Sequence, residues 1–160
     1  KWVAAAVGYA DPDEAFAAGV LHDIGKVIIL LNLPDEFRAI VKAMETGGLD
    51  SRTAETRVLG FDHGRVGAWL LERWDMPAEL SAGIVHHHDP AAAGEHERLA
   101  RIVACGDTLS HHFGGGAAWG AAIAPELVAG QAAELGLAGE RLEELREILQ
   151  AETREDTLAV

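Results

Sequence analysis

Residues 21–26 read Leu21-His22-Asp23-Ile24-Gly25-Lys26. Successive helical residues point about 100° apart, so His22 and Asp23 cannot share a face in mid-helix. They can converge on one ion at a helix end, where the chain leaves helical geometry, and Gly25 is expected to supply that end. A neutral imidazole nitrogen beside a carboxylate suits a divalent transition metal or Mn. The carboxylate can also bridge two ions, and Lys26 would sit where a phosphate oxygen could approach. The plain alternative is a surface helix C-terminus with a polar cap.

Upstream, Asp11-Pro12-Asp13-Glu14 has the form of a helix start, with Asp at the cap, Pro at the first position and acids in the first turn. That helix is expected to run through Ala15, Phe16, Ala18 and Leu21 and stop near Gly25. Before it, Trp2 to Val7 reads as the end of another helix. The chain begins at Lys1 and Trp2 to Ala6 already resembles helix interior, so a preceding part is expected.

Downstream, Lys26 to Leu31 is open between a strand and a buried helix, because periodicity cannot separate them. Pro34-Asp35-Glu36 opens a helix that Gly47-Gly48 ends. Ser51 or Thr53 is expected to cap the next, with Gly60 as its stop. Asp62 caps a further helix with Val66, Trp69, Leu70 and Trp74 as its apolar stripe. Met76-Pro77 breaks it, and Ala78 to about His86 follows. Asp89 to Gly94 reads as a loop and Glu97 to Phe113 as a helix. Gly114-Gly115-Gly116 reads as the most flexible tract. A helix from Pro125 to Gly136 and a last one from about Gly139 to Thr153 complete the chain. No alternating run is long enough for a strand, so the fold expected is all-α, with eight or so short helices.

Eight histidines stand out: His22, His63, His86, His87, His88, His96, His111 and His112. Histidine is the commonest metal ligand among side chains. His63 follows the cap Asp62; alone it would be a capping or half-buried residue. The triplet His86-His87-His88 ends a helix, either as a solvated run or as ligands. Asp107 lies in an otherwise apolar helix, where a carboxylate is costly unless paired, hydrogen-bonded or metal-bound. A salt bridge to Arg101 or Arg65 is its plain structural role. His96, His111 and His112 are expected not to be ligands, the last two lying at a fraying helix end.

Composition narrows the classes. The chain has 160 residues, with 49% apolar and 24% charged side chains. That is enough for a hydrophobic core and excludes intrinsic disorder as the main state. The net charge is −13, from 13 basic and 26 acidic residues. Such a surface repels phosphate backbones, so neither general nucleic-acid binding nor binding to an anionic membrane is expected. A phosphate-bearing ligand would need a local positive centre such as bound metal. No apolar run approaches the roughly 20 residues of a membrane span. A single cysteine, Cys105, leaves no internal disulfide, in keeping with a reducing cytoplasm.

LHDIGK, the pair within HHHDP and the aspartate of ARIVACGD together resemble the HD superfamily of metal-dependent phosphohydrolases. Within it the chain is most similar to the HDOD domain, an output domain of bacterial signalling proteins. The likeness runs through AFAAGVLHDIGKVIIL, ETRVLGFDHGRVGAWLLERWDMPAELSAGIVHHHDP and LARIVACGDTLSHHF, and the tail LGLAGERLEELREIL fits as well. The resemblance implies an all-α, HD-like helical bundle. It implies a single domain over residues 1–160 that lacks its N-terminal helices.

The metal ligands implied are His22, Asp23, His63, His87, His88 and Asp107. His87 and His88 are chosen from the triplet because the family's pair stands three and four residues after an Ile, here Ile84. Lys26 matches a lysine placed near substrate phosphate, and Glu55 and Gly60 match residues that precede the next helix. The cofactor implied is one or two divalent ions: Fe, Mn, Zn, Ni, Co or Mg. Two departures stand out. The family carries a further His on a preceding helix, and none precedes His22. The tract Asp89 to Gly94 also lacks the DGxGYP of HD-GYP phosphodiesterases, which argues against hydrolysis of cyclic di-GMP of that type.

Two functional readings remain. One is a cytoplasmic signalling output module whose partners are other signalling domains. The other is an active phosphohydrolase on a phosphate-bearing small molecule. In it the ions polarise phosphoryl oxygens and activate water, Asp23 bridges them, and Lys26 steadies the developing charge.

Overall fold

Aspartates open the helices that frame the His-Asp pair. The Asp11 carboxylate accepts hydrogen bonds from the amides of Asp13 (3.1 Å) and Glu14 (2.9 Å), and the Asp62 carboxylate accepts one from the Arg65 amide (3.0 Å). Each satisfies N–H groups that a helix start leaves without partners. The computed structural model describes residues 1–113 and 124–158. The Gly114–Gly116 tract lies outside the described residues.

The elements are α1 (Trp2–Ala6), α2 (Pro12–Leu21), α3 (Ile24–Asn32), α4 (Pro34–Gly47), α5 (Ser51–Leu59), α6 (His63–Arg73) and α7 (Ala78–Val85), a 3-10 segment (Pro90–His96), then α8 (Glu97–Phe113), α9 (Pro125–Glu134) and α10 (Glu140–Leu158). There is no strand among the described residues, and the all-α reading holds. No single described helix is long and apolar enough to cross a membrane.

Several local expectations are corrected. Gly25 does not end a helix: α2 stops at Leu21, His22 and Asp23 form the break, and Gly25 lies buried in the first turn of α3. A Cβ on Gly25 would stand 2.0 Å from the His63 carbonyl oxygen, so its role is close packing against the start of α6. The ambiguous Lys26–Leu31 stretch is helical, with Ile29 buried. Asp50, rather than Ser51 or Thr53, caps α5: its carboxylate accepts from the Thr53 amide (3.0 Å) and the Thr53 hydroxyl (2.7 Å).

The tract expected as a loop after the histidine triplet is the 3-10 segment, turned at Gly94 (φ 61°). α9 ends at Glu134, before Gly136 at φ 73°, and α10 continues to Leu158. Trp69 and Trp74 are half exposed; the buried stripe of α6 is Val66, Gly67 and Leu71.

Two apolar cores result. The larger gathers Ala15 and Ala18 of α2, Leu71, Ile84, Leu99, Ile102, Leu109, Val128, Leu137 and Leu145. The smaller gathers Ile29, Ile40, Ala54 and Val66. α6 contributes to both, since Leu71 enters one and Val66 the other. The α2–α3 break passes from the larger core to the smaller, α6 belongs to both, and α7 packs in the larger.

Candidate metal centre

Three imidazoles are fixed in the same way. The Nδ1 of His22 lies 2.7 Å from the Gly19 carbonyl oxygen, and that of His87 lies 2.6 Å from the Ile84 carbonyl oxygen. The Nδ1 of His63 lies 2.6 Å from Glu55 Oε2. A carbonyl or an ionised carboxylate can only accept, so each Nδ1 carries the proton and donates it. In the neutral rings Nε2 is then a bare lone pair, the form in which imidazole binds metal. Glu55 also accepts the His63 backbone amide at 2.7 Å. Both residues are buried (3% and 0% exposed), so the carboxylate is satisfied from within the fold.

The Nε2 atoms face other acceptors. His22 Nε2 stands 3.2 Å from Asp107 Oδ1 and 3.6 Å from Asp23 Oδ2. His63 Nε2 stands 3.4 Å from Asp23 Oδ1 and 3.1 Å from His88 Nε2. His87 Nε2 and Asp23 Oδ1 are buried with no hydrogen-bond partner among the described residues. Lone pairs at such distances repel unless a cation, proton or metal, lies between them. The donor set therefore fits a divalent metal. His63, His87 and His88 form one group with ligand atoms within 4.8 Å of each other; His22, Asp23 and His87 form a second. The two oxygens of Asp23 face the two groups separately.

Proton affinities follow the same field. Burial lowers the His22 pKa, but the hydrogen bond to Asp107 and the charge of Asp23 outweigh it, and the net shift is upward. Burial raises Asp23, yet Lys26 and His22 pull it below the usual carboxylate range. Asp107 is likewise raised by burial but brought down to about 2, chiefly by His22. Burial lowers His87 to about 4. His88, exposed at its outer edge, falls to about 3 through desolvation of its ring and the neighbouring His87 and His63. Two acidic carboxylates, with His87 and His88 reluctant to protonate, form a centre suited to a cation other than H⁺.

The fold brings together His22, Asp23, His63, His87 and His88, with Asp107 against His22 and Lys26 on Asp23 (Nζ to Oδ2 2.7 Å). Glu55 stands behind His63. His86 belongs to neither ligand group. Among the described residues Asp107 makes no salt bridge to arginine: Arg101 pairs with Glu97 and Glu134, and Arg65 lies over the Trp69 ring, 5.8 Å from its centroid. His111, not expected as a ligand and in neither ligand group, nevertheless has Nε2 3.3 Å from Asp107 Oδ1. Its i, i+4 spacing from Asp107 on one helix was the available signal.

The HDOD domain family matches residues 1–90, which include every residue named above except Asp107 and His111 among those at the cluster. An HDOD domain protein of unknown function from Geobacter sulfurreducens has a similar structure, with a TM-score of 0.77 and 24% identity, covering 96% of this chain and 54% of its own. A protein from Shewanella amazonensis SB2B named "Putative phosphohydrolase" gives 0.71 at 26% identity, covering 92% and 52%. One from Marinobacter aquaeolei VT8 named "Putative signal transduction protein" gives 0.66 at 29%, covering 89% and 29%. The chain thus spans about half, or less, of the length of these proteins. With the family matched over more than half of its residues and the helical fold shared, the chain belongs to the HDOD domain family.

Proposed function

We propose that this domain is a bacterial signal-transduction output module that binds one or two divalent metal ions at the histidine cluster. The observation that carries this reading is the common tautomer of His22, His63 and His87. Each has Nδ1 committed to an acceptor and Nε2 turned toward other acceptors. His22, Asp23, His63, His87 and His88 would hold the metal, with Asp107 beside His22. Glu55 keeps His63 oriented. The partners proposed are neighbouring signalling domains in the cytoplasm.

A second reading, active phosphohydrolysis, is favoured by Lys26. Its ammonium stands on Asp23 Oδ2, at the edge of the cluster, where it can turn to a phosphoryl oxygen. Bound there, divalent metal supplies a Lewis acid that polarises phosphoryl oxygens. The chain's own part is to hold that centre through Asp23 and the imidazoles, and to place Lys26 against the negative charge of a phosphate-bearing small molecule. The metal would also give the local positive centre that a surface of net charge −13 otherwise lacks.

The test is elemental analysis of protein purified without chelator or a nickel column. One or two equivalents of a transition metal are expected, and phosphate esters can then be screened on the loaded protein. The double variant His22→Ala/Asp23→Ala is expected to lose the metal while keeping its helical circular dichroism. No metal in the parent after Mn or Fe is added, or unchanged metal in the double variant, would overturn the assignment.

A further inference from the structure

We propose that His111 is a positioning residue of the metal centre: it donates its Nε2–H to Asp107 and holds that carboxylate turned toward His22. The inference rests on the metal reading above. It concerns a residue outside both ligand groups and outside the stretch matched by the family.

Asp107 and His111 stand four residues apart on α8, so their side chains lie on one face, one turn apart. Asp107 Oδ1 is 3.3 Å from His111 Nε2 and 3.2 Å from His22 Nε2. The two imidazoles are not equivalent. Protonated, His22 donates to Asp107 from Nε2; neutral, as a metal ligand must be, it spends its one proton on the Gly19 carbonyl and offers Asp107 a lone pair and no donor. In that state His22 cannot hold the carboxylate; it competes with it for a cation. His111 Nε2 stands at ion-pair distance from the same oxygen, one turn along α8.

The arginines do not take over this role. Arg101, on the same helix, is tied to Glu97 and Glu134. Arg65 lies over Trp69. A half-buried carboxylate with no donor would turn to water. With His111 behind it, Asp107 keeps one oxygen fixed beside His22. Donors placed behind a ligand in this way contribute roughly 10–100-fold to metal affinity.

The experiment titrates the metal-free full chain with Mn²⁺ alone and follows free Mn²⁺ by its electron paramagnetic resonance signal. The parent is expected to bind. His111→Leu keeps the volume but has no donor, and it is expected to weaken binding about tenfold with unchanged helicity. His111→Gln, whose amide nitrogen reaches nearly the place of Nε2, is expected to recover most of that loss. His111→Asn, one methylene shorter, is expected not to, and it substitutes for the leucine variant if that one fails to fold. In an Asp107→Ala background His111→Leu is expected to cost nothing further, since the two act as a unit. Pulsed spectra of bound Mn²⁺ are expected to count the same coordinated nitrogens in the parent and in His111→Leu.

Parent-like binding by His111→Leu, or further loss in the Asp107→Ala background, would overturn the role of His111 and leave the metal centre standing. Loss of one coordinated nitrogen would also overturn it, by making His111 a ligand. A parent chain that binds no Mn²⁺ would overturn the metal reading itself.

Discussion

His63 and His22 approach Asp23 from opposite sides, and the fold holds them by different means. His63 is fully buried at the first position of α6. One buried carboxylate, Glu55, takes both its ring proton and its backbone amide. Its backbone carbonyl presses so closely on Gly25 that no side chain fits between α3 and α6. His22 sits at the α2–α3 break, partly open to solvent, held by one carbonyl and facing a carboxylate from α8. The first side is built into the packing of the smaller core. The second is assembled from three separate places in the chain. A site made this way has one rigid wall and one wall that depends on polar contacts, so the two should respond differently to substitution.

The sharpest way to break the rigid side is Gly25→Ala. The change favours a helix by about 1 kcal/mol, but the new Cβ would lie 2.0 Å from the His63 carbonyl oxygen, and backbone must move to relieve that. A net loss of about 3 kcal/mol of unfolding free energy is expected in urea titrations, at the upper end of overpacking effects. Parent-like stability would mean that the α3–α6 contact yields easily and the wall is not rigid.

Glu55→Gln comes next. It keeps the size but removes the charge that fixes the His63 tautomer. Metal affinity is expected to fall roughly 10–100-fold, read by competition with a chelating dye. A change of less than about twofold would show that packing alone orients His63, against that expected range.

The smallest effect tests the frame away from the site. Asp50→Ala removes the α5 cap and should cost about 1 kcal/mol with metal binding unchanged. Hydrogen bonds from the Thr53 hydroxyl and amide hold the Asp50 carboxyl below the usual range. Its contribution is therefore present above the unfolded pKa and is lost as pH falls through the folded one. The variant should show a weaker loss of stability on acidification than the parent, in unfolding curves taken from neutral pH downward.

The frame was legible where local chemistry decides. Asp11-Pro12 and Asp62 announced their helices, and the His and Asp residues of the cluster were marked by residue type and by likeness to a family. What escaped depends on partners distant in sequence. Gly25 resembled a helix stop because nothing near it reveals the His63 carbonyl. Lys26 to Leu31 could not be assigned because its apolar residues show no period, whereas the structure buries only Ile29 fully and leaves Leu31 exposed. His111 escaped for a different reason: its contact, the Asp107 carboxylate, lies only one turn earlier on α8, a spacing the sequence did contain.

The two carbonyls that fix the rings of His22 and His87 belong to the last turns of α2 and α7. Both helices therefore direct their C-terminal ends at the cluster, each worth roughly half a negative elementary charge. Two helices begin there: α6, whose positive end is covered by Glu55 and Asp62, and α3, whose N-cap is Asp23 itself. The two C-terminal ends thus place partial negative charge beside the rings of His22 and His87. Lengthening α2 by one residue, or α7 by two, would offer these carbonyls a peptide N–H instead of a ring proton. It would thereby release the tautomer and move the dipole end together, so helix length and cation preference are one variable in this fold.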